Sequence, residues 1–349
     1  MRRMKKNSPR SKKKLTIGMI GMGFISEVHI RAYRTHGDVE IKAFADSNQG
    51  LLVQKGKLFG INELYPDYHY MLEDKAIDVI DVMTPHFLHL RCVCDALKAG
   101  KTVICEKPVA TNLKDIDLMI KTAERVKKNI YIKQYLRFSS ANNKAQHLLL
   151  HNRIGRPYLV QCTFTSHSVK DYANPYSWRG NVKEAGGGVF IDVGVHMLDF
   201  LQMIFGSPIA TYAQCRKILT TLPQKGEDFA SALIEFPNDL MVSMNCTEND
   251  TAYGFRWEVR IYGTQGVMTI TDKGNEAKVL QIIQGNTTKY EFIERNWWEG
   301  ANISALTDII DRIQRDEKPV VSLEHARSVI QTIVRSYESA RQDKKIFFR

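Results

Sequence analysis

The sequence predicts two α/β domains, the first built on a doubly wound parallel sheet and the second on a mainly antiparallel sheet. β-rich apolar runs alternate with amphipathic helical stretches over the first 135 residues, and closely spaced strands follow beyond about residue 155. With 349 residues, the chain is also long enough for two hydrophobic cores. We therefore expect a basic arm at 1–14, a first domain at 15–137 and a second at 138–349.

The strands of the first domain are short apolar runs separated by stretches of helical periodicity. This alternation is typical of βαβ units, whose strands pair in parallel. The expected strands are LTIGMI at 15–20, VEIKAFA at 39–45, IDVIDVM at 77–83, TVIC at 102–105 and IYIKQY at 130–135.

The second domain begins with seven closely spaced strands, which favours antiparallel pairing. Two helices follow, at about 300–316 and 323–341, and Ser322 is the expected N-cap of the second helix. The expected strands are RPYLVQCTFTS at 156–166, TYAQCRKI at 211–218, DFASALIEF at 228–236, DLMVSMNC at 239–246, RWEVRIYG at 256–263, GVMTIT at 266–271 and KVLQIIQ at 278–284.

The positive charge of the chain is concentrated in its first 14 residues. They hold eight of the 49 Lys and Arg residues and no acid, while the remainder has 41 basic and 38 acidic residues. A nearly balanced body disfavours a nucleic-acid-binding protein, and such a basic run is most often a solvated terminus. We assign the arm no function.

The run LTIGMIGMGFI after the arm has the outline of a secretory signal, but we reject this interpretation. It contains three glycines, lacks a small-x-small cleavage pattern and is too short to span a bilayer. The six cysteines include no C-x-x-C pair, and an intracellular chain of this size does not need disulfides. We expect a cytoplasmic protein with reduced thiols and no membrane segment.

A glycine-rich motif, GMGFIS at 21–26, stands where the first strand gives way to a helix. Gly21 would permit a tight turn, Gly23 would let the backbone approach a pyrophosphate, and small Ser26 would allow close packing. Asp46 follows the second strand, where its carboxylate can accept hydrogen bonds from a ribose diol and would repel a 2′-phosphate. The pattern predicts NAD binding, with NADP disfavoured; the alternative is a glycine-rich turn without a ligand.

Glu106-Lys107-Pro108 follows the strand at 102–105, at the edge where open α/β sheets bind ligands. Lys107 could lie beside the nicotinamide, polarise a substrate hydroxyl and favour the alkoxide as a hydride leaves. Taken alone, the tripeptide would more often form a surface salt bridge, because Glu and Lys are common neighbours. Its location favours the catalytic interpretation.

The stretch GGGVFIDVGVHMLDF at 186–200 is apolar apart from Asp192, His196 and Asp199. In one continuous helix these positions would share a face. Asp192 and His196 could form a structural ion pair, or His196 could accept a proton during catalysis. Metal binding is disfavoured, because Asp199 on the same helix could supply a third zinc ligand only with awkward geometry.

Several motifs in this order resemble the glucose-fructose oxidoreductase, inositol dehydrogenase and rhizopine catabolism (Gfo/Idh/MocA) family, from about residue 15 to the carboxyl end. The resemblance implies a nicotinamide-binding Rossmann domain, an α/β domain with an open, mainly antiparallel sheet, and homo-oligomers built through that sheet. It rests on GMGFIS at 21–26, Asp46, TPHFLH at 84–89, EKP at 106–108, YLRF at 135–138, the GGG-x-x-x-D-x-G-x-H pattern ending at His196, and ARSVIQTIVRSYESA near the carboxyl end.

The resemblance also implies roles for individual residues. The family places its catalytic groups at the positions of Lys107, Asp192 and His196, so His196 would be the base and Asp192 would orient it or the substrate. Asp199 would support the pair, and the glycines at 186–188 would let the backbone pass close to the ligand. The expected cofactor-binding residues are Gly21, Gly23, Phe24, Ile25, Ser26, Asp46, Thr84, Pro85, His86, His89, Glu106 and Lys107, and the expected substrate-binding residues are Arg137, Trp178, Arg179, Asp192 and His196.

One position departs from the family pattern, because His86 stands where relatives commonly have Asn. Imidazole can donate one hydrogen bond, as the amide does, but it is bulkier and titratable. The contact made by His86 therefore stays open, and this side chain could compete with His196 for the role of base.

The loop NPYSWRG offers candidate groups for a substrate. Trp178 has an apolar face on which a sugar ring can lie, although it could equally pack the loop onto the sheet, and Arg179 has a fork for carboxylate or phosphate. The loop is similar to the nucleotide-sugar 3-dehydrogenase branch, which oxidises the C3 hydroxyl of UDP-linked amino sugars. Relatives there often have Asn at the position of Asp192, and the aspartate here favours free sugars or inositols.

We therefore expect NAD-linked oxidation or reduction at a secondary carbinol of a sugar, nucleotide sugar or cyclitol. The alternative is a non-catalytic, NAD-binding regulatory protein of the same family. Such a regulator would have no need to retain Lys107, Asp192 and His196 together.

Overall fold

A computed structural model of the protein describes residues 14–166, 177–219, 226–249, 256–273 and 277–348. Except for Lys14, the predicted basic arm lies outside the described residues. Both predicted sheets lie within them.

Six parallel strands form the first sheet: β1 (Leu15–Ile20), β2 (Val39–Ala45), β3 (Glu63–Tyr65), β4 (Val79–Val82), β5 (Thr102–Cys105) and β6 (Ile130–Ile132). Their order is β3-β2-β1-β4-β5-β6, the doubly wound arrangement that the sequence predicts. The direction of winding reverses between β1 and β4, and ligands of such sheets bind at the carboxyl ends beside this point. The connecting helices are α1 (Phe24–His36), α2 (Gln49–Phe59), α3 (Tyr68–Glu73), α4 (His89–Lys98) and α5 (Leu113–Val126).

Nine strands form the second sheet: β7 (Pro157–Thr165), β8 (Ala210–Arg216), β9 (Phe229–Phe236), β10 (Leu240–Thr247), β11 (Arg256–Gly263), β12 (Gly266–Lys273), β13 (Ala277–Gln284), β14 (Thr287–Arg295) and β15 (Ile346–Phe347). Their order is β14-β13-β12-β11-β7-β10-β9-β8-β15. β7 and β10 pair in parallel, and the other neighbours are antiparallel. The sheet is mainly antiparallel, as predicted.

The helices described in this half of the chain are α6 (Ser140–Leu150), α7 (Val182–Ala185), α8 (Val189–Asp192), α9 (Gly194–Phe205), α10 (Trp297–Gln314) and α11 (Leu323–Gln342). α9 and α11 pack together, and α11 also contacts β8. Ser322 caps α11 as predicted, because its side chain accepts a hydrogen bond from the His325 N–H at 3.1 Å.

The helix α10 packs against α1 of the first domain. Its residues Leu306, Ile309 and Ile310 join the hydrophobic core that contains Ile17 and Met19 of β1. A helix from the carboxyl-terminal part of the chain therefore completes the core of the first domain.

Among the described residues, no single helix is long and apolar enough to cross a membrane. One bent pair, residues 182–192 with 194–205, meets the criteria by length and composition only. All six cysteines are free thiols, and five are buried.

Candidate active site

A cleft of about 590 Å³ lies at the carboxyl ends of β1, β4 and β5, where the first domain faces the second. A second cavity of about 390 Å³ adjoins it and shares Gly21, Asp46 and Thr84 with it. The predicted site residues that line the cleft are Gly21, Gly23, Phe24, Ile25, Asp46, Thr84, Pro85, His86, Glu106, Lys107, Trp178, Arg179 and His196.

The loop between β1 and α1 has room for an anion. Gly21 has a φ of +94°, and a Cβ there would lie 2.7 Å from the carbonyl oxygen of Met83. A Cβ at Gly23 would meet no atom within 4 Å, so open space lies beside the N-terminus of α1. Backbone N–H groups at a helix N-terminus bind phosphate groups. Ser26 is buried, and its Oγ donates to the carbonyl oxygen of Gly23 at 2.6 Å.

The Asp46 carboxylate stands where the two cavities meet. Its Oδ2 accepts a hydrogen bond from the Met22 N–H at 2.7 Å, and its Oδ1 accepts one from the Asn48 N–H at 2.8 Å. A carboxylate oxygen can accept more than one hydrogen bond. Asp46 can therefore hold the glycine loop and still accept from a ribose hydroxyl.

Lys107, which lines the cleft, contacts Asp192 of the second domain. Lys107 Nζ donates to the carbonyl oxygen of Asp192 at 2.7 Å and to its Oδ1 at 3.0 Å. Asp192 Oδ2 also accepts a hydrogen bond from Arg179 Nε at 3.3 Å. The carboxylate thus lies between two cations and fixes the ammonium of Lys107.

The stretch 186–200 does not form the continuous helix that the sequence predicts. The chain bends by 52° between the helices that end at Asp192 and begin at Gly194. Asp192 therefore turns toward Lys107, while His196 lies in the first turn of α9. The prediction of one shared polar face is wrong.

The three glycines before α8 pack closely against other parts of the protein, Gly186 against Thr111 of the first domain and Gly187 and Gly188 within the second. A Cβ at Gly187 would overlap Tyr337 Oη, and a Cβ at Gly188 would overlap the carbonyl oxygen of Glu227. The Glu227 carboxylate accepts hydrogen bonds from two N–H groups at the start of α8, at 2.8 and 3.1 Å, and from Tyr337 Oη at 2.6 Å. These contacts fix the start of α8 and hence the place of Asp192. Close packing accounts for glycine at these positions, and the approach of their backbone to a ligand stays a prediction.

His196 is a neutral imidazole at the wall of the cleft. Burial, followed by the charge of Lys107, holds the pKa of His196 well below its usual value. Its Nδ1 lies 3.1 Å from Gln134 Oε1, an acceptor, so Nδ1 carries the hydrogen and Nε2 the lone pair. The ring of Tyr135 packs edge-on against it at a centroid distance of 4.8 Å.

His86 connects the first domain to α7. Its Nδ1 donates to the carbonyl oxygen of Ala185 at 3.0 Å, and its Nε2 lies 3.8 Å from Asp192 Oδ1. Burial lowers the pKa of His86 to about 3, so this ring is also neutral. Its edge meets Trp178 at a centroid distance of 4.4 Å, and the Arg179 guanidinium lies 4.5 Å from the Trp178 centroid. Trp178 thus packs the loop and lines the cleft.

Arg137 and Asp199 form a buried ion pair outside the cleft. Arg137 donates to the two carboxylate oxygens of Asp199 at 2.7 and 2.8 Å, and His325 Nε2 lies 3.0 Å from Asp199 Oδ1. This corrects the expectations that Arg137 binds substrate and that Asp199 supports His196. Sequence reasoning missed the pairing because 62 residues separate the partners.

His89 is buried behind the cleft. Its Nδ1 lies 2.9 Å from the carbonyl oxygen of Pro108, and its Nε2 lies 2.9 Å from that of Thr84. The ring therefore joins two loops that line the cleft, which corrects the expectation that His89 itself contacts the cofactor.

Among the lining residues that the sequence analysis did not identify are Lys133, Trp298 and Asn302. Lys133, only 2% exposed, donates from Nζ to Glu106 Oε1 at 2.8 Å. The sequence does contain a signal for Lys133, a single lysine directly after an apolar strand. A lysine buried at such a position needs a partner of opposite charge. Trp298 and Asn302 come from α10, whose approach no local pattern indicates. Within the described residues, no group of three His, Cys, Asp or Glu side chains could hold a metal.

Two family models match the chain in succession. Residues 15–134 match an oxidoreductase family with an NAD-binding Rossmann fold, and residues 142–269 match the GFO/IDH/MocA C-terminal domain. The chain belongs to the GFO/IDH/MocA family. This confirms the family, the Rossmann domain and the NAD-linked oxidoreductase that the sequence predicts.

Relatives of this GFO/IDH/MocA protein include named dehydrogenases. Myo-inositol 2-dehydrogenase of Thermotoga maritima is 24% identical over 322 residues, which cover 90% of this chain and 93% of that protein. Levoglucosan dehydrogenase of Pseudarthrobacter phenanthrenivorans is 26% identical over 282 residues, or 72% of each protein. A solved structure of levoglucosan dehydrogenase in complex with NADH and levoglucosan has a TM-score of 0.86 at 22% identity, covering 95% of this chain and 99% of that chain. This likeness confirms the fold.

Proposed function

We propose that the protein transfers a hydride between NAD and a secondary carbinol carbon of a sugar, nucleotide sugar or cyclitol. The observation that carries this proposal is that Lys107 and a neutral His196 line one cleft, with Lys107 hydrogen-bonded to Asp192. The names of the inositol and levoglucosan dehydrogenases support the substrate class. The non-catalytic alternative finds no support among these relatives.

The residues of the first domain fit NAD, which supplies the hydride acceptor when bound. The open space at Gly23 admits a pyrophosphate to the N-terminus of α1. Asp46 offers acceptors to a ribose diol, and its charge would repel the 2′-phosphate of NADP. The adjoining cavity, lined by Tyr68 and Arg91 among others, has room for the adenosine end.

Three side chains have different roles in the reaction. The ammonium of Lys107 stabilises negative charge on the reacting oxygen. His196 Nε2 accepts the hydroxyl proton, because its Nδ1 is held by Gln134. Asp192 holds Lys107 in place, and its negative charge favours the imidazolium that forms on His196.

A screen of NAD reduction against free sugars, inositols and nucleotide sugars tests the proposal. We expect turnover with a member of one class, with initial rates that saturate in both substrate and NAD. Quenching of tryptophan fluorescence, with Trp298 and Trp178 in the cleft, measures NAD binding separately. NAD binding without turnover on any compound would favour the regulatory alternative.

We also propose a homo-oligomer built through the outer face of the second sheet and a location in the cytoplasm. Leu233 and Ile293 lie on that face with 48% and 45% of their surface exposed, and a second copy would cover them. The free cysteines fit a reducing compartment. Light scattering measures the mass in solution, and a monomer at micromolar concentration would contradict the first part.

A further inference from the structure

A buried cluster of ionisable side chains lies directly behind the Glu106–Lys107 turn. Asp81 Oδ2 accepts a hydrogen bond from Tyr33 Oη at 2.7 Å and lies 2.7 Å from His29 Nδ1. The other ring nitrogen of His29, Nε2, lies 2.9 Å from Glu106 Oε1. The members of the cluster, all at most 7% exposed, are His29, Tyr33, Asp81, Glu106 and Lys133.

The hydrogen bonds of this cluster favour one charge state of His29. An ionised carboxylate only accepts hydrogen bonds, so each ring nitrogen facing one must carry a hydrogen. With His29 as an imidazolium, two cations balance the carboxylates of Asp81 and Glu106. With His29 neutral, one negative charge would be buried without compensation, which is strongly unfavourable.

The surroundings of His29 agree with this charge. Burial alone would lower the pKa of His29, but the carboxylates of Asp81 and Glu106 outweigh burial and the nearby Lys133, and raise it. Burial also opposes the ionisation of Glu106, yet Lys133 and His29 hold the pKa of that carboxyl well below its usual range.

Glu106 connects the cluster to the catalytic groups. Its Oε2 accepts a hydrogen bond from the backbone N–H of Lys107 at 3.1 Å. Its charge also reaches His196: Glu106 raises the pKa of that ring, whereas Lys107 and Lys133 lower it. The state of Glu106 therefore affects both the position of Lys107 and the protonation of His196.

We propose that His29 is a protonated positioning residue, whose charge balances Glu106 beneath Lys107 and thereby adds to the burial and the Lys107 charge that keep His196 neutral. It acts through Glu106 and touches neither substrate nor cofactor. The consequence for catalysis rests on the proposed role of His196 as the base. His29 lies on α1, so one helix serves the cofactor loop at its N-terminus and the catalytic turn one turn later.

The first experiment measures the protonation of His29 in the wild-type protein. With ¹⁵N-labelled histidine, nuclear magnetic resonance distinguishes an imidazolium from a neutral ring, and we expect an imidazolium at pH 8.5. The signal should be absent from His29→Gln, which assigns it. A wild-type spectrum without any imidazolium at pH 8.5 overturns the proposal, even if the variant does not fold.

The second experiment measures the titration of His196 in His29→Gln and in a matched control, His325→Gln. His325 also contacts a buried carboxylate, but that of Asp199 outside the cleft. We expect the pKa of His196 to rise in His29→Gln, because Glu106 loses a cation, and to stay unchanged in His325→Gln. An unmoved pKa of His196 in folded His29→Gln overturns the proposal.

The pH–rate profile distinguishes a positioning role of His29 from a purely structural role, because a structural role would leave the profile unchanged. In His29→Gln the acid limb of the pH–rate profile should shift to higher pH, with turnover at neutral pH lower by about tenfold and KM for NAD little changed. The control should keep the wild-type profile. The resonance measurements need no substrate. Absence of wild-type turnover would therefore contradict the proposed function, while the resonance measurements would still decide whether His29 is protonated.

Discussion

Replacing His196 with asparagine distinguishes a catalytic base from a structural side chain. His196→Asn loses the hydrogen bond to Gln134, worth about 1 kcal/mol, and the ring contact with Tyr135, worth about 0.5–1.5 kcal/mol. Asp192 is not left unpaired, because its carboxylate is bound by Lys107 and Arg179. The free energy of unfolding should therefore fall by only about 1–3 kcal/mol.

The catalytic effect of the same substitution should be far larger than its effect on stability. Loss of a general base lowers the rate by about 10²–10⁴-fold. In the wild-type protein, oxidation should fall as pH decreases through the pKa of His196, which lies well below its usual value, because the protonated ring cannot accept a proton. His196→Asn should lack this acid limb.

The buried pair of Asp199 and Arg137 provides the matched control. Asp199→Asn leaves the Arg137 charge without its carboxylate and should cost about 3–5 kcal/mol of stability, with the rate per folded molecule unchanged. Melting temperature and a pH–rate profile are measured on both variants. Near wild-type turnover of folded His196→Asn, with the acid limb intact, would refute the assignment of the base.

The remaining predictions concern the cofactor, the catalytic cation and acid stability. Asp46→Ser should narrow the preference for NAD over NADP in kcat/KM, and a wild-type preference for NADP would contradict the role of Asp46. Lys107→Ala should lower kcat by about 10²–10³-fold while circular dichroism shows a retained fold, and near-normal turnover would eliminate that role. The free energy of unfolding should fall as pH decreases from 6.5 toward 3. Burial lowers the pKa of His86 to about 3, so over this range the unfolded chain binds a proton that the folded chain does not. Thermal melting at pH 7 and pH 5 measures this loss of stability. The loss should be smaller in His86→Asn, and an equal loss in that variant would contradict the prediction.

The strands of the first domain could be predicted because buried parallel strands are nearly continuous apolar runs. β1, β2 and β5 begin and end where the sequence places them. β3 could not be found, because three residues at 63–65 are too few to show a pattern. In the second domain, β10 lies within one residue of the strand predicted at 239–246.

The candidate site was predictable only in part, because its geometry depends on contacts between distant segments. Gly21 and Lys107 follow strands whose ends define the cleft, so their place followed from the topology. The position of Asp192 depends on Glu227, which accepts a hydrogen bond from the Gly188 N–H before α8 although it lies 39 residues farther along the chain. Local periodicity could not indicate the partner of Arg137 either, because Asp199 lies 62 residues farther along the chain.

The contribution of α10 to the core of the first domain affects the order in which the protein can fold during synthesis. Leu306 emerges from the ribosome more than 170 residues after β6 ends at Ile132. At about 5–20 residues per second, translation needs roughly 10–35 s to cover that distance. During this interval the apolar surface around Ile17 and Met19 lacks its covering helix. The domain that is translated first is therefore completed only after α10 has been synthesised.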